Sequence, residues 1–225
     1  MSDQGLTYTV DLVFCIDVSG SMRPILDQVK ANALSFYSDV QTNLTAKGKD
    51  VDQLRVRVVA FRDLAHPDEL PLEESAFFTL PGEQEGFAAF VERLSPAGGG
   101  DEPESGLEAL ALAISSDWTR TGDRRRQVIV VWTDASTLPL GSAPASPDFG
   151  TRIPADFSAL TDQWENEQGA MGVNSKRLIM FAPDGSGWSE ISSVWENVVH
   201  HPSKAGSGLS EVDYGTILDS IGNSV

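Results

Sequence analysis

Three small oxygen-bearing side chains follow the first apolar segment of the chain at every second position. Asp17, Ser19 and Ser21 stand in the stretch DVSGS, where Gly20 lies between the serines and permits a tight turn. Carboxylate and hydroxyl oxygens at this spacing suit two roles. They can cap a following helix, or they can bind a hard cation such as Mg²⁺. The stretch by itself leaves both roles open.

Further oxygen-bearing side chains follow the other apolar segments. Asp63 ends LRVRVVAFRD, Thr133 and Asp134 follow QVIVVW, and the loop SPAGGGDEPES carries Asp101 and Glu104. The carboxyl ends of parallel strands form one edge of a sheet, where ligands of open α/β sheets bind, so we expect these groups to meet there. Their joint occurrence favours a cation site over a helix cap.

The elements that must position these groups alternate between strand-like and helix-like patterns. Continuous or alternating apolar runs predict strands at 8–17, 54–63, 127–135 and 176–184, with a short antiparallel edge strand at 76–80. Apolar residues spaced by three or four predict helices over 25–44, 83–94, 107–114, 157–164, 187–198 and 214–221. This alternation predicts a doubly wound, Rossmann-like α/β fold, with a mostly parallel central sheet flanked by helices on both faces.

The length and composition indicate one domain over 1–225, since 225 residues with 40% hydrophobic content can form a single core. We expect a flexible N-terminus at 1–7 and a long surface loop, rich in Pro, Gly and Ser, at 136–154. The net charge of −17 disfavours nucleic acid and anionic membranes and favours cations and basic partners. We interpret the basic cluster at 120–126 as a solvated turn rather than an anion site.

The remaining signals concern location and single residues. Cys15 lies in an apolar strand and has no second cysteine, so we expect a buried thiol. The N-terminus lacks the features of a signal peptide, and no apolar run is long enough to span a bilayer, which predicts a cytoplasmic protein. His200 and His201 lack further zinc ligands. The five tryptophans are core candidates, and Trp188 is the one for which an exposed contact is the alternative.

Four segments together resemble a known family. FCIDVSGSM resembles the metal-ion-dependent adhesion site of von Willebrand factor type A domains. VRVVAFRD, GGGDEPESGLEAL and RRRQVIVVWTDA follow in the order found in the branch that includes the domains associated with alpha-kinases. The likeness runs from about residue 8 to 136. The C-terminal part resembles bacterial stand-alone members, some of them associated with tellurite resistance.

The resemblance implies roles for matching positions. The implied metal ligands are Asp17, Ser19 and Ser21 in the first loop, one residue of the second loop, SPAGGGDEPES, and Asp134 in the third loop, which follows QVIVVW. The second-loop position is often threonine in the family, but here the loop is acidic, with Asp101 as the first candidate and Glu104 as the second. An acidic residue there would hold the cation more tightly and leave it less electrophilic. The groups expected beside the ligands, or as alternatives to them, are Gly20, Asp63, Glu104 and Thr133.

The expected function is that of a non-enzymatic, metal-dependent protein-interaction module, a scaffold or adaptor in a bacterial multi-protein system. Mg²⁺ or Mn²⁺, with Ca²⁺ as a third candidate, would dock a carboxylate of a partner protein. One alternative is a metal-dependent phosphotransfer or hydrolytic enzyme, although no base, nucleophile or phosphate-binding lysine stands beside the cluster in the sequence. Another is an interaction domain whose metal site is vestigial.

Overall fold

A central sheet organises the chain. The computed structural model describes residues 7–64, 72–98, 103–142, 150–185 and 187–225. The sheet formed by these residues contains β1 (Tyr8–Asp17), β2 (Gln53–Phe61), β3 (Leu72–Glu74), β4 (Phe78–Leu80), β5 (Arg124–Trp132), β6 (Lys176–Pro183) and β7 (Val198–Ser203). Across the sheet the order is β3-β2-β1-β5-β6-β7, and β4 also pairs with β2.

The direction of the strands agrees with the predicted fold class. Parallel pairing joins β1 to β2 and to β5, β5 to β6, and β6 to β7. β3 and β4 run antiparallel to different parts of β2. The prediction of a mostly parallel sheet is confirmed, and β4 is the short antiparallel strand predicted at 76–80. β3 is a second antiparallel strand, which the sequence did not predict. β3 comprises only Leu72–Glu74, too short and too polar to show a strand period.

Helices cover both faces of the sheet. One face carries α1 (Arg23–Asn32), α2 (Phe36–Ala46), α3 (Gln84–Arg93) and α7 (Tyr214–Ser224). The other face carries α4 (Gly106–Ile114), α5 (Phe157–Glu165) and α6 (Trp188–Val194). Alternate side chains of β1 serve the two cores, and every residue of β1 is buried. This burial on both faces explains why the strand reads as a nearly continuous apolar run.

Two local predictions were wrong, and the exposed alternative for Trp188 is excluded. The stripe over 25–44 predicted one helix, but α1 and α2 are separate, and Leu34 at the break is 63% exposed. The helix predicted over 187–198 ends at Val194 and is followed by β7, an edge strand with partly exposed residues. Trp188 is not an exposed contact, because it is fully buried and its Nε1–H donates to the Ala135 carbonyl at 3.0 Å.

The predicted surface loop at 136–154 is only partly exposed. Thr137, near its start, is buried and bridges to Glu104. Near its end, Arg152 donates to Glu74 at 2.7 Å. Residues 143–149 of this loop and residues 1–6 of the predicted flexible N-terminus lie outside the described residues. In the ranges that the structure describes, no helix is both long enough and apolar enough to cross a membrane.

Candidate metal centre

The carboxyl end of β1 presents the first group of oxygen atoms. Asp17 is fully buried, and its Oδ1 accepts a hydrogen bond from the Ser19 N–H at 2.8 Å. The following 3-10 turn brings the Oγ atoms of Ser19 and Ser21 to 3.3 Å from each other. Gly20 is needed there because a Cβ atom would lie 2.7 Å from the Gly98 carbonyl oxygen. The turn therefore depends on close backbone contact with the second loop.

The neighbouring strand β5 completes the cluster. Thr133 and Asp134 follow β5, which pairs with β1 in parallel, so both loops reach the same edge. The Thr133 hydroxyl donates to Asp17 Oδ2 at 2.7 Å. The Ser21 hydroxyl donates to Asp134 Oδ1 at 2.9 Å. The structure thus brings together Asp17, Ser21, Thr133 and Asp134, with Ser19 beside them, as expected from the shared edge of parallel strands.

Burial shapes the charge state of this cluster. The pKa of Asp17 rises from its usual 3.8 to about 6, chiefly because burial disfavours the charged carboxylate, and the nearby Asp134 charge also raises it. Hydrogen bonds from Ser19 and Thr133 act in the opposite direction and lower the pKa. A cation bound between the two carboxylates would remove their repulsion and favour the ionised form of both.

A segment that sequence reasoning missed packs against the cluster. Between β7 and α7, the Gly208 N–H donates to Asp134 Oδ2 at 2.6 Å, and the Gly206 N–H donates to the Asp134 carbonyl at 2.9 Å. Gly208 has φ +61°, and a Cβ atom there would lie 2.2 Å from the Ser21 carbonyl oxygen, so the position requires glycine. The run GSG was the available signal, but without β7 it could not be placed at this edge.

The second loop is described only at its two ends. Asp101, the first candidate for the second-loop ligand, lies outside the described residues. Glu104, the second candidate, is buried, and its backbone bonds to the Ser136 carbonyl at 3.0 Å and to the Leu138 N–H at 2.8 Å. These contacts place Glu104 against the segment that follows Asp134. Glu104 therefore lies next to the third loop, where a second-loop ligand of the metal would have to be.

Asp63 follows β2 at the same edge, and its charge affects the pKa of Glu108, a residue that sequence reasoning did not single out. Glu108, in the first turn of α4, is only 3% exposed, and its pKa rises from 4.5 to about 7. The main cause is burial, and the negative charge of Asp63 adds to it. Glu108 is the one acidic residue in the otherwise apolar run GLEALALAI. The sequence could have pointed to it, but the apolar stripe of the helix drew attention to the core residues instead.

Arg62 supports the backbone of the first two loops. This arginine is buried, and its Nε–H lies 3.2 Å from the carbonyl oxygens of both Val18 and Ala97. Its guanidinium group therefore ties the segment after β1 to the start of the second loop. That role is consistent with a framework residue rather than with a group that binds phosphate.

The donor set fits a hard divalent cation. Carboxylates and hydroxyls are the ligands that Mg²⁺ and Mn²⁺ take, and Mg²⁺ usually keeps several waters in its shell. In the part of the chain that the structure describes, no group of three or more His, Cys, Asp or Glu side chains is arranged to hold a metal. A cation between Asp17 and Asp134 would therefore depend on the serine hydroxyls, on water and on the second loop.

The fold and the oxygen-rich edge define a doubly wound α/β domain with a strand-end site, and comparison with known proteins gives its family. A family model described as von Willebrand factor A domain matches residues 11–138, more than half of the chain, and this match spans Asp17 to Asp134. The chain therefore belongs to the von Willebrand factor A domain family. No curated protein matches the chain.

Similar solved structures include proteins of bacterial pili. The pilus adhesin SpaC from Lactobacillus rhamnosus GG has 16% identity and a TM-score of 0.41, with 58% of this chain and 16% of that chain covered. The vWF domain of the type V pili tip protein Mfa5 from Porphyromonas gingivalis has 21% identity and a TM-score of 0.40, with 63% and 44% covered. A structure of three N-terminal domains of Mfa5 has 19% identity and a TM-score of 0.39, with 62% and 22% covered. This chain thus spans less than half the length of each of these proteins.

Proposed function

We propose that this von Willebrand factor A domain is a metal-dependent protein-interaction module that binds Mg²⁺ or Mn²⁺ at the edge formed by Asp17, Ser19, Ser21 and Asp134. The observation that carries the proposal is the contact between loops. Ser21 Oγ lies 2.9 Å from Asp134 Oδ1 and 3.3 Å from Ser19 Oγ, so hydroxyls of the first loop meet a carboxylate of the third. Ca²⁺ is a third candidate, because it accepts the same oxygen ligands.

The residues around the site have separable tasks in this proposal. Asp17 supplies charge, and the Ser19 N–H and Thr133 hydroxyl fix the orientation of its carboxylate. The serine oxygens are neutral, so they can ligate without cancelling the charge of the cation. Asp101 or Glu104 would add a further oxygen from the second loop. When bound, the metal supplies a Lewis acid that accepts an additional anionic ligand.

That additional ligand, we propose, is an Asp or Glu side chain of a partner protein. A site with hydroxyls in place of further carboxylates leaves the cation partly electropositive, which favours an incoming carboxylate. A role as a scaffold or adaptor in a bacterial multi-protein system, without enzymatic activity, belongs to the same proposal. The cytoplasmic location stays a prediction from the sequence.

Metal titration tests the first half of the proposal. Calorimetry and thermal melting with MgCl₂, MnCl₂ or CaCl₂ are compared with EDTA for the wild type, Asp17→Asn and Asp134→Asn. At a metal concentration of about 100 times Kd, the wild type should gain about 2.7 kcal/mol in its free energy of unfolding, and both variants should lose this gain. Asp184→Asn is the matched control, because Asp184 follows β6 at the same edge but is largely exposed. A wild type without heat of binding or metal-dependent shift would contradict the proposal.

The second half requires a partner. A protein recovered on the immobilised wild-type domain with Mg²⁺, and lost in EDTA, should also be lost on Asp134→Asn. Its binding should disappear when the contacting Glu or Asp of the partner is changed to Gln or Asn. If those changes leave binding intact, docking does not proceed through a carboxylate at the metal.

A further inference from the structure

The amino-terminal end of the sheet, opposite the candidate metal centre, carries a group of cationic side chains. In the sheet register, Arg124 lies beside Tyr8, Arg126 lies beside Val10, and Arg177 lies beside Val128. Because side chains alternate along a strand, the three arginines lie on the face that α7 covers. Lys49, in the loop after α2, reaches the same end and donates to the Gly222 carbonyl of α7 at 2.7 Å. We call Lys49, Arg124, Arg126 and Arg177 the basic patch.

The basic patch differs from six other cations of the chain, each of which has a carboxylate partner. Elsewhere, Arg55 pairs with Asp11 at 2.7 Å, Lys176 pairs with Glu165 at 2.9 Å, and both Arg57 and Arg152 pair with Glu74. Within the described ranges, no member of the basic patch forms an ion pair. The chain has 33 acidic and 16 basic residues, so carboxylates are in ample supply. A group of four cations that have no carboxylate partner among the described residues is therefore unexpected at one end of such a chain.

The patch members make other contacts, and among the described residues none of these contacts is with a carboxylate. The Arg124 guanidinium lies over the Tyr8 ring at 4.7 Å. Arg177 Nη1 donates to the Lys176 carbonyl at 2.6 Å and to Asn197 Oδ1 at 3.2 Å. Arg126 Nη1 donates to the Arg125 carbonyl at 3.0 Å, while its buried Nε has no hydrogen-bond partner among the described residues. All of these acceptors and the aromatic ring are neutral.

Three acidic residues near this end are occupied by other donors. Asp52 accepts the Tyr8 N–H at 2.7 Å, and Asp123 accepts the Thr7 N–H at 2.9 Å. Asp219 pairs with Lys47 at 3.1 Å. None of these carboxylates therefore takes a hydrogen bond from an arginine of the basic patch in the part of the chain that the structure describes.

The members of the basic patch repel one another. Burial is the main cause of a lowered pKa for Lys49, and the charges of Arg126 and Arg124 lower it further. Burial likewise lowers the pKa of Arg177, and the charge of Arg126 contributes to this. A carboxylate placed among these groups would relieve the repulsion. The contact of Lys49 with the end of α7 has a structural reason, since cations stabilise helix C-termini, but this reason does not extend to the three arginines.

From this geometry we infer that the basic patch is a docking surface for an acidic segment of another protein, a stretch with several Asp or Glu side chains. Arginine suits this role because its guanidinium forms paired hydrogen bonds with a carboxylate. The strongly negative remainder of the chain would repel a long polyanion such as nucleic acid, whereas a short acidic segment can reach the patch alone. The inference does not rest on the proposed metal site, which lies at the opposite edge.

A binding assay in EDTA separates this surface from the metal centre. The probe is a fluorescently labelled peptide of alternating Glu and Gly, compared with the peptide in which Gln replaces Glu, and anisotropy is measured in solution. We expect the Glu peptide to bind and to weaken by about tenfold or more as salt rises from about 50 to about 200 mM. The triple variant Arg124→Gln/Arg126→Gln/Arg177→Gln should lose about tenfold or more in affinity.

A matched control removes the same number of charges elsewhere. Arg23→Gln/Lys30→Gln/Arg93→Gln changes three cations outside the patch, and its affinity should stay within about twofold of the wild type. Thermal melting verifies that both variants fold. Absence of peptide binding to the wild type, equal losses in the two variants, or tighter binding of a single-stranded oligonucleotide or of phosphatidylserine vesicles would each overturn the inference.

Discussion

The two ends of the sheet handle charge in opposite ways. At the carboxyl end, Asp17 and Asp134 are buried, and each carboxylate accepts hydrogen bonds from hydroxyl or amide groups of neighbouring loops. At the amino end, Arg124, Arg126 and Arg177 share one face of the sheet and form no ion pair with the described residues. The net charge of −17 therefore conceals a local cationic surface.

This difference shows which charged groups hold the fold together. The carboxylates at the carboxyl end connect three loops, so a change there alters several contacts at once. The arginines of the basic patch bond to local carbonyls, an amide oxygen and a ring, and they connect few elements. We therefore expect the fold to tolerate changes in the patch. Substitutions at the two ends should therefore differ in their cost to stability.

The largest loss of stability is expected at Arg55, an arginine that has a carboxylate partner and lies near the basic patch. Arg55 donates to both oxygens of Asp11, which is almost fully buried. Arg55→Gln should lower the free energy of unfolding by about 3–5 kcal/mol, because it leaves a buried carboxylate without its cation. Arg177→Gln, the control from the basic patch, should change it by no more than about 0.5 kcal/mol. Urea unfolding measures both, and equal losses would show that the patch supports the fold after all.

The next effect concerns pH at the carboxyl end. Glu108 has a folded pKa of about 7 against an ordinary value of 4.5, so the folded state binds the proton more tightly than the unfolded state. Stability is therefore greatest below about pH 4.5 for this group and falls as pH rises toward 7. At pH 8, Glu108→Gln should raise the free energy of unfolding by an amount on the order of 3 kcal/mol.

The control for Glu108 is Glu190→Gln. Glu190 also lies in the first turn of a helix, but it is exposed, so its replacement should have an effect within about 0.5 kcal/mol. Urea unfolding at several pH values measures the slopes. The wild type should retain more pH dependence than Glu108→Gln, which keeps only the contribution of Asp17 and other groups. Parallel curves for the wild type and Glu108→Gln would refute the assignment.

A smaller loss of stability is expected where the first and second loops approach each other closely. Gly20→Ala places a methyl group 2.7 Å from the Gly98 carbonyl oxygen, so it should cost about 1–3 kcal/mol in stability and weaken Mg²⁺ binding. At Gly82 the nearest atom to an added Cβ is 3.7 Å away, which is ordinary contact. Gly82→Ala is therefore the control, with no loss of metal binding. Thermal melting and calorimetry would contradict the prediction if the two variants behaved alike.

The smallest effect measures repulsion within the basic patch. Arg126→Gln/Arg177→Gln should raise stability by about 0.5 kcal/mol at low salt, and this gain should shrink at high salt because ions screen exposed charges. Lys47→Gln removes the ion pair with Asp219 and should have a slight effect in the opposite direction. Destabilisation of the double variant at low salt would show that these arginines have stabilising contacts.

The fold and part of the candidate site could be predicted from the sequence because both depend on local patterns. Parallel strands covered on both faces are continuously apolar, so β1, β5 and β6 stand out, and their ends place Asp17 and Asp134 together. Ser19 and Ser21 come directly after β1, so the turn at the end of this strand places their hydroxyl groups beside Asp17. These features depend on local pattern and on a general rule of sheet topology, both of which one sequence contains.

Other features depend on contacts between distant segments. The apolar period continues from Ala33 to Phe36, so it does not reveal the end of α1 at Asn32. The strand β7 contains two histidines and a proline on a partly exposed edge, and without it Gly208 could not be placed beside Asp134. The isolation of Arg126 from carboxylates is a property of strand register and loop packing. Sequence shows the cationic run at 120–126, but not which of its charges remain unpaired.

The hydrogen bond between Tyr8 Oη and the Val225 carbonyl, 2.7 Å long, has a practical consequence for how the domain is presented. The two residues lie at the same end of the sheet, so a tether joined at either one emerges beside the basic patch. A domain anchored to a chip or bead in this way exposes the candidate metal centre to the solution. The same anchoring crowds the basic patch, so the acidic peptide has to be measured with both partners free.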